Sequence, residues 1–243
     1  MFPNKPEKAF TLVELSIVIV IIGLIIAGVT AGKGLVRQAK LQGVMSDITK
    51  YTSAYNSFKL QYNAVPGDMK NASSYWTTTN GDGNGYVTPV AEPYLAWQHL
   101  ALAKLISGSY TGAASGENFV VGINAPRGPI RKSGYQFISQ FNHSPIYGRG
   151  KTENGIRFGQ PIAASPNSLN TGVISPGNAY LLDKKLDDGL ASRGKIVANA
   201  SNFAIPTNGV CVTGPFTGAA GSSNYIMTDT SDSSCVMQFW IGK

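Results

Sequence analysis

An unbroken apolar run near the amino terminus is the strongest pattern in the chain. Residues 10–31 read FTLVELSIVIVIIGLIIAGVTA, and no charged side chain occurs between Leu15 and Ala31. A helix of about 20 apolar residues crosses the hydrocarbon core of a bilayer, so this run is long enough to span one. Glu14 is the exception, because an unpaired carboxylate at hydrocarbon depth is costly. The pattern predicts a membrane-spanning helix in which Glu14 either has a partner or reaches the headgroup layer.

A second pattern begins where the apolar run ends. Apolar and aromatic residues recur there at alternating spacings of three and four, which predicts one stripe of a helix: Leu41, Val44, Ile48, Tyr51, Tyr55, Phe58 and Tyr62. No proline interrupts residues 10–62. We therefore predict one continuous helix, membranous over residues 10–32 and amphipathic over residues 33–62. Small residues at Gly28 and Gly32 would let helices approach one another closely.

The remainder of the chain predicts a globular head domain over residues 63–243. Breaker residues at 63–68 (NAVPGD) end the long helix. Two shorter helices are predicted over residues 93–106 and 178–186. Strand patterns separated by glycine, proline and serine turns cover residues 118–123, 135–141, 155–158, 195–198, 209–212 and 236–241. The expected fold class is α+β, with the amphipathic half of the long helix packed on an antiparallel sheet.

Composition favours an exported or self-assembling protein. Only 14% of the residues are charged, whereas about a quarter is usual in soluble domains. The net charge is +7, and basic residues with aromatic neighbours are concentrated in the middle of the chain: Arg127, Arg131, Lys132, Arg149, Lys151 and Arg157. Such interleaving can bind single-stranded DNA, but a solvated face is the preferred interpretation, and nucleic acid is not an expected partner.

Two cysteines lie near the carboxyl terminus, Cys211 and Cys235. An even pair in an exported chain suggests one disulfide that closes a loop of about 25 residues, worth about 3 kcal/mol in the chain-entropy model. Two separate buried thiols are the alternative.

A partial calcium motif occupies residues 80–85 (NGDGNG). Asn80, Asp82 and Asn84 are oxygen-bearing residues at alternate positions, and a glycine follows, as in the first half of a calcium-binding loop. The twelfth position, where a glutamate is expected, is Ala91, and Glu92 comes one place later. A plain Asn/Gly turn is the favoured alternative, so calcium is a tentative cofactor.

No recognisable catalytic motif occurs in the sequence. His99 and His143 are the only histidines, and His99 falls within a predicted apolar helix, where a core position is expected. Serines and cysteines lie outside nucleophile motifs, and no glycine-rich phosphate loop occurs. Asp183, Asp187 and Asp188 are interpreted as a helix end followed by a turn. We expect a protein that is not an enzyme.

Residues 8–19 (KAFTLVELSIVI) resemble the cleavage and methylation motif of type IV prepilins and of the pseudopilins of type II secretion. The resemblance implies that a prepilin peptidase cuts between Ala9 and Phe10, that Phe10 is N-methylated, and that residues 1–9 are a cytoplasmic leader. It also implies that Glu14 pairs with the Phe10 amine of a neighbouring subunit. Ala9 stands where the family nearly always has glycine, and Ala31 lies where many members have a proline.

The resemblance further implies a fold like that of pilins and a structural function. The chain would assemble with itself, with other pilins or pseudopilins and with the inner-membrane machinery into a helical filament, and its terminal disulfide loop would face outward. Lys5 and Lys8 precede the apolar run and predict a cytoplasmic amino terminus, with the head on the periplasmic side of the bacterial inner membrane. The alternative is a secreted binding or adhesin domain whose ordinary signal peptide is cut after Ala31.

Overall fold

The structure is a computed structural model. It describes residues 10–89, 91–112, 119–140, 153–161, 168–200, 211–213, 224–228 and 234–242. The chain divides into two compact units, Met1–Gln42 and Gly43–Lys243.

The long helix α1 covers Leu12–Tyr62, which confirms the continuous helix predicted from the sequence. No proline interrupts it, so no N–H donor is missing from the helical hydrogen bonds in its interior. The helix ends where Asn63 adopts a left-handed conformation with φ of 49°, and its N–H donates to the Lys59 carbonyl at 2.9 Å. Asparagine tolerates this conformation better than most residues.

Within the second unit, most of the predicted stripe of α1 is buried, whereas Tyr62 at its end is half-buried. The buried members are at most 7% exposed: Val44, Ile48, Tyr51, Tyr55 and Phe58. Two polar contacts connect the helix to the sheet. The Tyr135 hydroxyl donates to Asp47 at 2.9 Å, and the Asn154 side-chain amide donates to the Tyr55 hydroxyl at 2.9 Å.

One antiparallel sheet forms the centre of the second unit. Its strands lie in the order β1-β2-β4-β3, and they are β1 (Gly134–Gln140), β2 (Glu153–Gly159), β3 (Ile196–Ala200) and β4 (Cys235–Gly242). Ile156 lies opposite Phe137 on one side and Phe239 on the other. This face packs against α1, where the rings of Tyr55 and Phe137 stack with centroids 6.1 Å apart. The arrangement confirms the predicted α+β fold.

Two shorter helices complete the described fold, α2 (Glu92–Leu102) and α3 (Pro176–Leu186). The Trp97 ring of α2 lies 4.9 Å from the ring of Tyr51 and 4.4 Å from that of Phe137. This aromatic contact joins α2 to both α1 and β1.

Three predicted elements differ from the observed ones. The helix predicted over residues 93–106 ends at Leu102, because Lys104 is left-handed with φ of 59°. The strand predicted over residues 118–123 is wrong in its described part, because Ile123 donates to the Val120 carbonyl at 2.9 Å and closes a turn. The strand predicted over residues 209–212 is not observed in its described part, where Val212 forms only an isolated bridge with Tyr225; residues 209–210 lie outside the described residues. The other predicted strands match β1 to β4 with small shifts of their bounds.

Candidate functional site

The amino-terminal end of α1 is closed by Thr11 and Glu14. The Thr11 N–H and hydroxyl each donate to Glu14 Oε2 at 2.8 Å, and the Glu14 N–H donates to Thr11 Oγ1 at 3.3 Å. This reciprocal arrangement is a capping box, which satisfies backbone donors that have no partner inside the helix. A carboxylate there also interacts favourably with the positive end of the helix dipole. Glu14 therefore has an intramolecular role that the motif of residues 8–19 does not require.

Sequence reasoning missed this cap, although its signal is present. Threonine followed three residues later by glutamate, directly before an apolar run, is the sequence pattern of a capping box. The interpretation of Glu14 as either paired with another subunit or solvated at the headgroups overlooked this third arrangement. The cap is compatible with either of those two arrangements, since both Thr11 contacts end on one carboxylate oxygen, Oε2.

The side chains of the apolar run are exposed around the whole helix. An 18-residue window of α1 is apolar enough to span a membrane, and none of it is buried inside the chain. Exposure reaches 86% at Leu12 and is 69% at Leu24. An apolar surface of this extent is a site for lipid or for other protein surfaces, and it fits membrane anchoring.

Small residues on this surface have open space beside them. A Cβ added at Gly23, Gly28 or Gly32 would meet no atom within 4 Å outside the local helix backbone. Packing within the chain therefore does not require these glycines. Close helix–helix approach is one physical reason for glycine at such positions.

The predicted processing site lies at the edge of the described residues. Phe10 is the first residue described, directly before the helix cap, and Ala9 and the leader lie outside the described residues. The cleavage and methylation assigned to Ala9 and Phe10 stay a prediction.

The loop at residues 80–85 lies beside two carboxylates that are distant in sequence. Ligand atoms of Asp68, Asp82 and Glu92 all lie within 4.8 Å of one another. Asp68 accepts hydrogen bonds from the backbone of Gly83 at 2.5 Å and Gly85 at 2.7 Å. Glu92 accepts from the Asp82 N–H at 3.0 Å. We call Asp68, Asp82 and Glu92 the carboxylate cluster.

The two asparagines proposed as calcium ligands make other contacts. Asn80 Oδ1 accepts from the Ser73 N–H at 2.8 Å. Asn84 donates through its amide to Asp82 at 2.8 Å and accepts from the Tyr86 N–H at 2.8 Å. The structure thus brings Asp82 together with Asp68 and Glu92, and it engages Asn80 and Asn84 in the turn. The backbone conformation of the loop explains why Asp82 and not the asparagines joins the other carboxylates, because the backbone amides of the loop point towards Asp68.

The electrostatics of the carboxylate cluster favour a proton or a cation. Burial, together with the neighbouring Asp82 and Glu92, raises the pKa of Asp68 to about 6, against the lowering effect of the hydrogen bonds from the Gly85 and Asn84 N–H groups. Three carboxylates are hard oxygen ligands of the type that calcium takes in proteins. The three carboxylates therefore suit a calcium ion. They equally suit a loop that is held together without an ion, by a proton on a carboxylate and by hydrogen bonds from the backbone.

His99 is a core residue, as the sequence predicted. It is fully buried, its Nδ1 accepts from the Gly67 N–H at 3.0 Å, and its Nε2 lies 3.3 Å from the Thr79 carbonyl. This pattern places the ring proton on Nε2. Burial lowers the pKa of His99 to about 4. The ring is therefore neutral, and its hydrogen bonds connect α2 to the turn that follows α1.

The second acidic group closes the end of α3. Asp183 is buried and accepts from the Tyr225 hydroxyl at 2.8 Å, and Asp187 accepts from the Ile196 N–H at 3.0 Å. Asp188 accepts from the Leu190 N–H at 2.8 Å. Burial raises the pKa of Asp183 to about 6. These contacts match the interpretation of a helix end followed by a turn.

Cys211 and Cys235 form a disulfide, with their Cα atoms 5.2 Å apart. The bond connects the start of β4 to the segment 211–213. Of the basic residues in the middle of the chain, Arg149 and Lys151 lie outside the described residues, and Arg157 on β2 donates to Ser168 at 2.8 Å.

Comparison with known proteins identifies one segment. Residues 4–30 match the family model of the prokaryotic N-terminal methylation motif. No curated protein and no solved structure matches the chain. The matched residues include the Thr11–Glu14 cap and most of the exposed apolar surface. The chain therefore carries the prepilin-type cleavage and methylation motif of type IV pilins and pseudopilins.

Proposed function

We propose that the chain is a structural subunit of a type IV pilus or of a type II secretion pseudopilus. A prepilin peptidase would cut before Phe10, and the mature chain would assemble through its amino-terminal helix with other pilins or pseudopilins at the inner membrane. The observation that carries this proposal is the methylation motif at residues 4–30, which opens a helix whose apolar residues are uncovered within the chain. The role is structural rather than catalytic.

The contacts of Glu14 suggest how assembly would work. Cleavage before Phe10 creates an α-ammonium group only four residues from Glu14. In apolar surroundings, an ammonium group from a neighbouring subunit would neutralise a carboxylate that is otherwise costly there. The Thr11 donors hold the carboxylate at the helix end, so it would be positioned before a neighbour arrives.

Mass spectrometry of the mature amino terminus tests the processing step. We expect a chain that begins with methylated Phe10 when it is expressed with a prepilin peptidase. A mature chain that begins at Gly32 would show that the run is an ordinary signal peptide, and the proposal would be wrong. The methylation motif at residues 4–30 supports cleavage before Phe10 over cleavage after Ala31.

A set of Glu14 and Thr11 variants tests the assembly step. Glu14→Gln keeps the size of the side chain but removes its charge, and we expect it to abolish filament formation. Thr11→Val removes the hydroxyl donor of the cap but keeps the carboxylate, and we expect filaments to form. Equal loss of filaments in both variants would show that Glu14 acts only as a helix cap.

We propose calcium as the cofactor of the loop that contains Asn80, Asp82 and Asn84, bound through the carboxylate cluster. The proximity of three carboxylates supports this. We expect millimolar calcium to raise the melting temperature of the chain and Asp82→Asn to remove that shift. The absence of a shift in the unmodified chain would rule calcium out, and the carboxylates would then serve only to hold the loop.

A further inference from the structure

Three cations lie on one face of α1 just beyond the apolar run. Lys33, Arg37 and Lys40 are all exposed, and their spacing of four and three residues places them within about 60° around the helix axis. No acidic residue occurs between Leu15 and Ser46. We call Lys33, Arg37 and Lys40 the basic stripe.

The position of the basic stripe along the helix corresponds to the headgroup layer of a membrane. At about 1.5 Å per residue, Lys33 lies about 3 Å beyond Ala31, Arg37 about 9 Å and Lys40 about 14 Å. Headgroup layers are about 5–8 Å thick on each side of the hydrocarbon core. Long basic side chains can reach back several ångströms towards that layer, so all three can contact headgroups if residues 10–31 span the membrane.

The same turns also have an apolar side. Leu35 and Val36 are 68% and 56% exposed. Around the helix, Leu35 lies opposite the basic stripe, and Val36 lies beside its edge. A helix segment with cations on one side and exposed aliphatic residues elsewhere is typical of the boundary between headgroups and acyl chains. This segment therefore suits the membrane surface better than open water.

We propose that the basic stripe binds anionic phospholipid headgroups of the membrane that anchors the chain. The proposal rests on the proposed function in one respect, namely that residues 10–31 span that membrane. Charge complementarity favours anionic lipid as the occupant, because the basic stripe carries three positive charges and the helix around it has no acidic residue between Leu15 and Ser46. Each cation near an anionic surface is expected to enrich anionic lipid by up to about fivefold.

Headgroup binding would hold the subunit at one depth before it enters a filament. With the basic stripe at the headgroups, the positions of Phe10 and Glu14 along the membrane normal are also set, since all lie on or directly before the same rigid helix. Subunits held at equal depth would present the Phe10 amine and the Glu14 carboxylate at comparable levels.

The test uses the full processed chain in nanodiscs of equimolar phosphatidylglycerol and phosphatidylcholine. Native mass spectrometry counts the lipids that stay bound after release. We expect the unmodified chain to retain phosphatidylglycerol about tenfold over phosphatidylcholine, and the triple variant Lys33→Gln, Arg37→Gln, Lys40→Gln to lose this preference. The matched control is Lys70→Gln, Lys104→Gln, Lys185→Gln, which removes the same charge from exposed positions in the second unit and should keep the preference.

Insertion is scored separately by flotation with liposomes. A chain that floats without any headgroup preference overturns this inference alone, whereas a chain that does not float overturns the proposed membrane anchor as well. Equal loss of preference in both triple variants would show a general charge effect and overturn the inference. A basic-stripe variant that keeps the lipid preference but fails to form filaments would show that the stripe faces another subunit instead.

Discussion

The two halves of α1 share one backbone conformation but differ in what surrounds their apolar side chains. In the first half, Ile22 is 49% exposed, whereas in the second half Phe58 is fully buried within the head. Burial of apolar area is the main stabilising contribution to folding. The second half therefore stabilises the head, while the first half gains no such stabilisation from the described residues of the chain.

Truncation of a buried ring should give the largest difference in stability between changes in the two halves. Phe58 packs near Tyr62 and His99, with ring centroids 4.6 and 6.2 Å away. We expect Phe58→Ala to lower the free energy of unfolding by about 3–5 kcal/mol. Ile22→Ala is the matched change in the first half and should leave head unfolding unchanged. Urea titrations in detergent, followed by tryptophan fluorescence, measure both, and similar losses would contradict the comparison.

Removal of the disulfide should affect the head alone. Cys211 and Cys235 are 24 residues apart, and cross-linking a loop of this length restricts the unfolded chain by about 3 kcal/mol. We expect the double Cys→Ala variant to lose about that much stability in urea and still to associate with membranes as before. Unchanged stability of the double variant would show that the head does not depend on the bond.

Acid titration should reveal buried groups in the head whose protonation changes its stability in opposite directions. The folded pKa of His99 is about 4 against about 6.5 when unfolded, so His99 lowers stability as the pH falls through that window. Asp68 and Asp183 have folded pKa values of about 6 against about 3.9 unfolded. They bind protons more readily in the folded state, so they raise stability as the pH falls from about 6 to 4.

The variant His99→Gln should expose this balance. Glutamine does not titrate, so only the carboxylates remain, and we expect the stability of the variant to rise relative to that of the unmodified chain as the pH falls from 6 to 4. Urea midpoints at pH 7, 6, 5 and 4 measure the effect. Parallel curves for the two proteins would show that His99 does not titrate in this window.

The smallest expected difference comes from one glycine in each half. Replacing a helical glycine with alanine gains up to about 1 kcal/mol of helix propensity. At Gly28 the new methyl group meets open space, whereas at Gly43 it lies 3.2 Å from Pro129. We expect Gly28→Ala to increase the thermal stability of α1 helicity, and Gly43→Ala to gain little because Pro129 must shift. Circular dichroism in detergent compares them, and equal gains would contradict the crowding at Gly43.

Local patterns made the helices and most strands predictable. The apolar run and the stripe of α1 follow from periodicity within one segment, and so do the cores of β1, β2 and β4. The capping box of Thr11 and Glu14 was equally local, and it could have been predicted from the same residues. The strand predicted over residues 118–123 is not observed in its described part, because the alternation of apolar and polar residues there is short and the Val120–Ile123 turn competes with it.

The carboxylate cluster could not be predicted from local pattern. Asp68, Asp82 and Glu92 come from the turn after α1, the loop and the start of α2, and no spacing rule connects them. The partial calcium motif predicted Asn80 and Asn84 as ligands, because they are neighbours of Asp82 in sequence. The loop backbone instead turns its amides to Asp68.

The amino-acid sequence alone determined the long helix, its apolar and amphipathic halves, and the methylation motif that contains Phe10, because these depend on residue types at short range. Only the tertiary structure decided the strand order β1-β2-β4-β3, the short distances among Asp68, Asp82 and Glu92, and the hydrogen-bond partners and lowered pKa of His99. Those features arise from contacts between distant segments, and burial acts on a side chain only once the fold has formed around it.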